Sequence, residues 1–164
     1  FGEQRFGRNG NNLREAQLIL AEGKRYRDKQ KRGLMLSAAR SYLFNQVLAA
    51  RVIAGNWSIP INGEVANFAT GPLWGRGRSL VTADLALFEQ HVLADWHEWC
   101  DGLEHAGLSQ ERRALQLIPR ETGYEWHGQN LLLKFSLDAG EFATAVLHEL
   151  AHLHTAPTLA SEQA

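Results

Sequence analysis

From Lys31 onward the apolar positions Leu34, Leu36, Ala39, Leu43, Phe44, Val47, Leu48 and Val52 recur at intervals of three and four. That is the period of one helix face, so the pattern predicts a long amphipathic helix ending at Gly55, with Arg32, Arg40 and Arg51 on its polar side. Ahead of it, Asn11 and Asn12 are expected to cap a shorter helix to about Glu22, with Leu13, Gln17 and Leu20 on one stripe and Gly23 as terminator. Asn62-Gly63, flanked by Ile59, Ile61 and Val65, is a two-residue hairpin signal, and a small sheet is expected within residues 56 to 83. Gly71-Pro72-Leu73-Trp74-Gly75-Arg76-Gly77-Arg78 reads as a mobile glycine-rich loop. It lacks the glycine spacing of a phosphate-binding or dinucleotide fingerprint.

Further on, Asp84 to about His105 reads as one helix with Leu85, Phe88, Val92, Leu93, Trp96 and Trp99 mostly inward. Ser109 is placed to cap a short helix from Gln110. Tyr124 to Leu137 alternates or runs apolar around Gly128, which predicts paired strands. Asp138-Ala139-Gly140 breaks that pattern, Glu141 to about Leu153 is helical by period, and a polar, alanine-rich tail frays after His154. Helices and strands in this order define an α+β class.

Composition adds bounds. A chain of 164 residues has the usual length of one domain, and 45% apolar content with five Trp and seven Phe is enough for a core. The single cysteine, Cys100, excludes an intrachain disulfide and a cysteine-based metal cluster, and fits a reducing, cytoplasmic setting. No apolar run approaches the roughly 20 residues that span a bilayer, and no membrane association is expected.

Charge changes the picture more. The formal net charge is -1, yet residues 1–51 hold eleven of the seventeen Lys and Arg against four acids, a local balance of +7. The remainder, with six cations and fourteen acids, stands at -8. Lys24-Arg25-Tyr26-Arg27-Asp28-Lys29-Gln30-Lys31-Arg32 packs six cations and one aromatic into nine residues. Such a run either grips phosphates, with the aromatic stacking on a base, or is a solvated helix start; charge alone does not choose.

The opening Phe1-Gly2-Glu3-Gln4-Arg5-Phe6-Gly7-Arg8 brackets two aromatics and an arginine with glycines, a bend suited to something flat and anionic such as a nucleotide. It resembles the end of the Asn-(Tyr/Phe)-Phe-Gly-x-Gln-Arg-Phe-Gly signature of the tRNA pseudouridine synthase D (TruD) family. Two further stretches resemble that family in the expected order. One is Lys31-Arg32-Gly33 through Ser37-Ala38-Ala39-Arg40-Ser41 to Phe44-Asn45; the other is the closing Gly140-Glu141-Phe142-Ala143-Thr144.

The resemblance implies a pseudouridine synthase-like α/β catalytic domain with a mostly antiparallel sheet, interrupted by the family's inserted domain. Residues 1–24 and 117–164 would belong to the catalytic domain and residues 25–116 to the insert. It also implies a cytoplasmic isomerase, a monomer, that acts on tRNA without cofactor or metal, turning a flipped uridine of the D arm into pseudouridine. Phe142 and Phe1 would contact the uridine, and Arg5, Lys24, Arg25, Arg27, Lys31, Arg32, Arg40, Arg76 and Arg78 would hold the RNA. The family's catalytic aspartate lies upstream in a Gly-Leu-Lys-Asp type motif. None of Asp28, Asp84, Asp95, Asp101 and Asp138 lies in that context, so the chain is expected to be an incomplete, inactive portion. The family also carries more residues near Ala66 to Thr70.

Two other readings compete. His148-Glu149-Leu150-Ala151-His152 matches H-E-x-x-H, in which histidines one helical turn apart bind zinc while the glutamate activates water. A catalytic zinc needs a third protein ligand. His154 would point elsewhere on the helix, Glu162 lies in the tail, and the spacings of His91, His97 and His105 suit no single metal. The other reading is an RNA-binding module without chemistry, which shares the basic segment and needs no aspartate.

Overall fold

A 25-residue helix, Lys29–Ile53 (α2), is the element on which the first 117 residues are built in the computed structural model, which describes residues 1–152. It begins two residues earlier than the apolar period predicts because Asp28 caps it, its Oδ1 accepting from the backbone N–H of Gln30 at 2.9 Å and Lys31 at 3.0 Å. Its buried face runs Met35, Leu36, Ala38, Ala39, Leu43, Phe44 and Val47. Leu34 and Val52, expected on that face, are about half exposed, at 54% and 52%. The face is rotated slightly, so that small Ala38 and Ala39 let neighbouring elements approach closely.

A short helix, Asn11–Leu20 (α1), packs along α2. Its N-cap is Gly10 in the left-handed region, and Asn11 and Asn12 lie in the first turn rather than capping it. The single helix expected from Asp84 to His105 is two, Ala83–Val92 (α3) and His97–His105 (α4), with a 3-10 turn at Ala94–Trp96 between them. The break lets Trp96 and Trp99 meet Tyr42 of α2 edge-on or tilted, at centroid distances of 4.8 and 5.7 Å.

The hairpin expected at Asn62-Gly63 does not form. These residues make a turn that locks onto the start of α3, with Asn62 O accepting from Leu85 N–H and Gly63 O from Thr82 N–H. Gly63 has φ +100° and a Cβ there would stand 1.8 Å from Thr82 O, so the glycine serves close approach rather than strand reversal. The strand of this region is Thr70–Leu73 (β1), and its partner is Glu111–Ala114 (β2), antiparallel with Thr70 opposite Ala114 and Leu73 opposite Glu111. The helix expected from Gln110 is therefore a strand, and the glycine-rich loop is in large part a packed edge. A Cβ at Gly75 would lie 2.5 Å from Leu108 O, and Trp74 Nε1 donates to Glu104 at 3.0 Å.

What holds β1, β2 and α3 to α2 is a buried polar network that neither period nor motif announced. Arg51, fully buried despite its place on the nominal polar side, donates to Glu64 at 2.8 Å and to the carbonyls of Asn56 and Ile59. Glu64 in turn accepts from Thr70 Oγ1 at 2.6 Å and Thr70 N at 3.1 Å. Arg112 donates to Thr70 O and Oγ1 and forms a two-pronged pair with Glu89 of α3 at 2.6 and 3.0 Å. Burial raises the Glu89 carboxyl above its ordinary range, and the Arg112 partner opposes that rise.

Residues 1–117 and 118 onward form two compact units. In the second, Arg120–His127 (β3) and Asn130–Ser136 (β4) pair antiparallel around the Gly128 turn, as the alternation predicts. A helix at Ala143–Leu150 (α5) follows. The class is thus α+β, with its sheet content among the described residues in two antiparallel pairs. Leu153, the tail after His154 and Glu162 lie outside the described residues.

Candidate nucleic-acid interface

The opening motif lies against α2 through its first residue. The nitrogen of Phe1 donates to Asn45 Oδ1 at 2.8 Å, and Asn45 Nδ2 donates back to Phe1 O at 2.7 Å. The Phe1 ring meets Phe44 edge-on at a centroid distance of 5.1 Å. Two guanidinium carbons, of Arg5 at 5.6 Å and Arg113 at 5.3 Å, stand over the same ring. A 3-10 turn at Glu3–Phe6 brings Arg5 round, where Ser37 Oγ accepts from its Nη1 at 3.3 Å and its own carbonyl accepts from Asn12 Nδ2 at 3.3 Å. Beside Phe1 opens a cavity of about 470 Å³ lined by Phe6, Leu13, Tyr42, Asn45 and Gln46 among others.

The Arg5 and Arg113 guanidinium groups meet at this corner. Burial and then Arg113 hold the Arg5 guanidinium below its ordinary pKa.

The other predicted cations divide into two groups. Arg25, Arg27, Lys31, Arg76 and Arg78 are exposed and, among the described residues, form no ion pair, so their charge faces solvent. Lys24 pairs with Glu15 at 3.1 Å and lies 5.2 Å from the centroid of the Tyr26 ring, whose hydroxyl also donates to Glu15; the aromatic of the basic run is engaged locally. Arg32 donates to Ala106 O at 3.5 Å. Arg40 is spent on structure, donating to Leu73 O at 2.8 Å and Ser109 O at 2.7 Å beside Glu111 at 3.6 Å, and so ties the end of β1 to the loop before β2. Sequence reading passed over Arg113. Its signal, a cation alternating with the inward Arg112, is hidden because the local pattern from Gln110 predicts a helix.

In the second unit Phe142 is half-buried at the N-cap of α5, with extended backbone at φ -121°. The H-E-x-x-H geometry is not built. α5 ends at Leu150, Ala151 is extended at φ -159°, and His152 lies past the helix, so it does not share a helical face with His148. Among the described residues no three His, Cys, Asp or Glu side chains gather as a metal site. His91, His97 and His105 are exposed. All five aspartates are exposed too, Asp28 as a helix cap, Asp84 accepting from Asn62 and Asp138 paired with Arg120. No helix among the described residues is long and apolar enough to cross a membrane.

An aromatic flanked by two guanidinium groups thus packs against α2, and exposed cations lie at and just before the start of that helix. No family model matches the chain. It is similar to tRNA pseudouridine synthase D of Cellvibrio japonicus, 56% identical over 155 residues that cover 94% of this chain and 46% of the relative. It is 44% identical to that of Aeromonas hydrophila over 177 residues, 92% of this chain and 50% of the relative. With that of Xanthomonas campestris pv. campestris it shares 41% over 203 residues, 99% of this chain and 55% of the relative. At such identity along nearly its whole length, the chain belongs to the tRNA pseudouridine synthase D family. It spans about half the length of these curated relatives. The 177- and 203-residue alignments are longer than the chain itself, so those relatives carry residues that it lacks.

Proposed function

We propose that this stretch forms the RNA-gripping part and one wall of the uridine pocket of a tRNA pseudouridine synthase. The uridine is one in the D arm, and its base must leave the stack before the chemistry can begin. The glycosidic bond from the sugar carbon to N1 breaks, the freed ring turns, and a bond forms from the same carbon to C5. C5 gives up its proton and N1 gains one, so nothing is consumed. That reaction needs an aromatic face for the loose ring, cations for the neighbouring phosphates and a carboxylate at the sugar. The observation that carries the reading is the Phe1 ring held against Phe44 with Arg5 and Arg113 over it. Phe142, at the N-cap of α5, is a second aromatic of the proposal as a contact for the uridine.

The carboxylate is not proposed from this stretch, since all five aspartates are exposed and several are engaged elsewhere. Residues 1–24 and 117–164 are proposed to belong to the catalytic domain and residues 25–116 to the insert; the break between units after Leu117 falls at one end of that division, whereas residues 1–24 pack with 25–116 in one unit. The test is to assay this polypeptide alone for pseudouridine in tRNA, beside a full-length family enzyme carrying the same stretch. RNA binding without turnover is expected of the polypeptide, and turnover would overturn the assignment of the carboxylate elsewhere. In the full-length enzyme Phe142→Ala should lower turnover far more than RNA affinity; equal losses would reject its contact with the base.

A further inference from the structure

Resting on the reading of Phe1 as pocket wall, we infer that Asn45 is a positioning residue that sets the Phe1 ring for the flipped base. A carboxamide carries one acceptor and one donor in the same arrangement as a peptide group. Asn45 uses both on a single residue, accepting from the nitrogen of Phe1 at 2.8 Å and donating to its carbonyl at 2.7 Å. This is the exchange that two directly opposed residues make in an antiparallel ladder, here between a helix side chain and the backbone of Phe1. The orientation of the amide is forced, because the nitrogen of Phe1 only donates and the oxygen only accepts.

The neighbouring residue completes the hold. Phe44, 4% exposed, abuts the Phe1 ring edge-on, so consecutive residues of α2 fix the backbone and the ring of the same aromatic. α2 is anchored along its length by the core, which makes it a rigid ruler for that ring. With the backbone clamped, the ring keeps its place beneath Arg5 and Arg113, and the base and its phosphate meet a preset surface. Asn45 thus acts through Phe1 and touches no reacting atom.

The test is a double-mutant cycle in a full-length family enzyme carrying this stretch. Asn45→Ala is expected to lower kcat by about 10- to 100-fold, the scale of a misplacement near 1 Å, with the dissociation constant for tRNA changing less than about threefold. In a Phe1→Ala background the same substitution should cost almost nothing more, because the group it positions is gone. Asn45→Asp, which keeps the shape and the acceptor but loses the donor to Phe1 O, should lie between wild type and Asn45→Ala, and it serves where the alanine variant fails to fold. Unchanged kcat in Asn45→Asp, or an equal further loss in the Phe1→Ala background, overturns the inference. If Phe1→Ala itself leaves turnover intact, it is the reading of Phe1 as pocket wall that falls.

Discussion

Arg112 and Arg113 are neighbours in β2 and do opposite things. Strand geometry sends successive side chains to opposite faces, so Arg112 turns inward to Glu89 and Thr70 while Arg113 stands over Phe1. Removing one partner of a buried, hydrogen-bonded pair leaves the other charge stranded, at a cost of roughly 3–5 kcal/mol. Arg112→Ala should therefore lower the free energy of unfolding by about that amount in denaturant titration. Arg113→Ala, which removes a cation over the Phe1 ring, should weaken RNA binding instead. The reverse ordering would mean the two faces have been exchanged. None of this was legible in Gln110-Glu111-Arg112-Arg113, which contains no apolar alternation to betray a strand. The pairing with β1 is a tertiary choice that overrides local propensity. Phe1 and Arg5 were legible because their motif brings them together locally, whereas Asn45 reaches Phe1 only once α2 is folded against it.

At the scale of elements, legibility followed period. α1, α2 and the β3–β4 pair announced themselves because their apolar spacing is long or their turn is local. The Asn62-Gly63 signal misled because the same dipeptide serves any tight reversal, and here the reversal caps α3 rather than joining strands. The glycines of residues 71–77 suggest freedom, whereas Gly71 and Gly75 supply closeness to Phe44 and Leu108. α4 offers a probe of how firmly these pieces hold. Its inward face carries Trp99, Cys100 and Leu103, and burial first, with Glu104 second, pushes the Cys100 thiol up to about 12. Thiolate is the reactive form, so native protein at pH 8 should consume almost no Ellman's reagent, with one thiol appearing when denaturant is added. Prompt stoichiometric reaction in the folded state would show that α4 opens far more readily than its packing implies.

At the scale of the molecule, the question is which of the cations act on RNA. Charge counting gave +7 for residues 1–51 and could not separate contact from scaffold. In the fold, Arg51 and Arg40 bind carbonyls and carboxylates, whereas Arg25 and Arg27, just before α2, and Lys31, in its first turn, face solvent. Each phosphate neutralised releases condensed counterions and adds roughly 0.7–0.9 to the slope of log affinity against log salt. Replacing Arg25, Arg27 and Lys31 together by Gln should therefore make the slope for tRNA shallower by about 2–3, and leave the unfolding free energy nearly unchanged. Arg40→Gln should do the converse, lowering stability with little change in slope, because its guanidinium is committed to Leu73 and Ser109. A triple variant with the wild-type slope would place the RNA on another face. The exposed pair Arg76 and Arg78 would then be the next to replace, since they are the remaining predicted contacts whose charge is free of the scaffold.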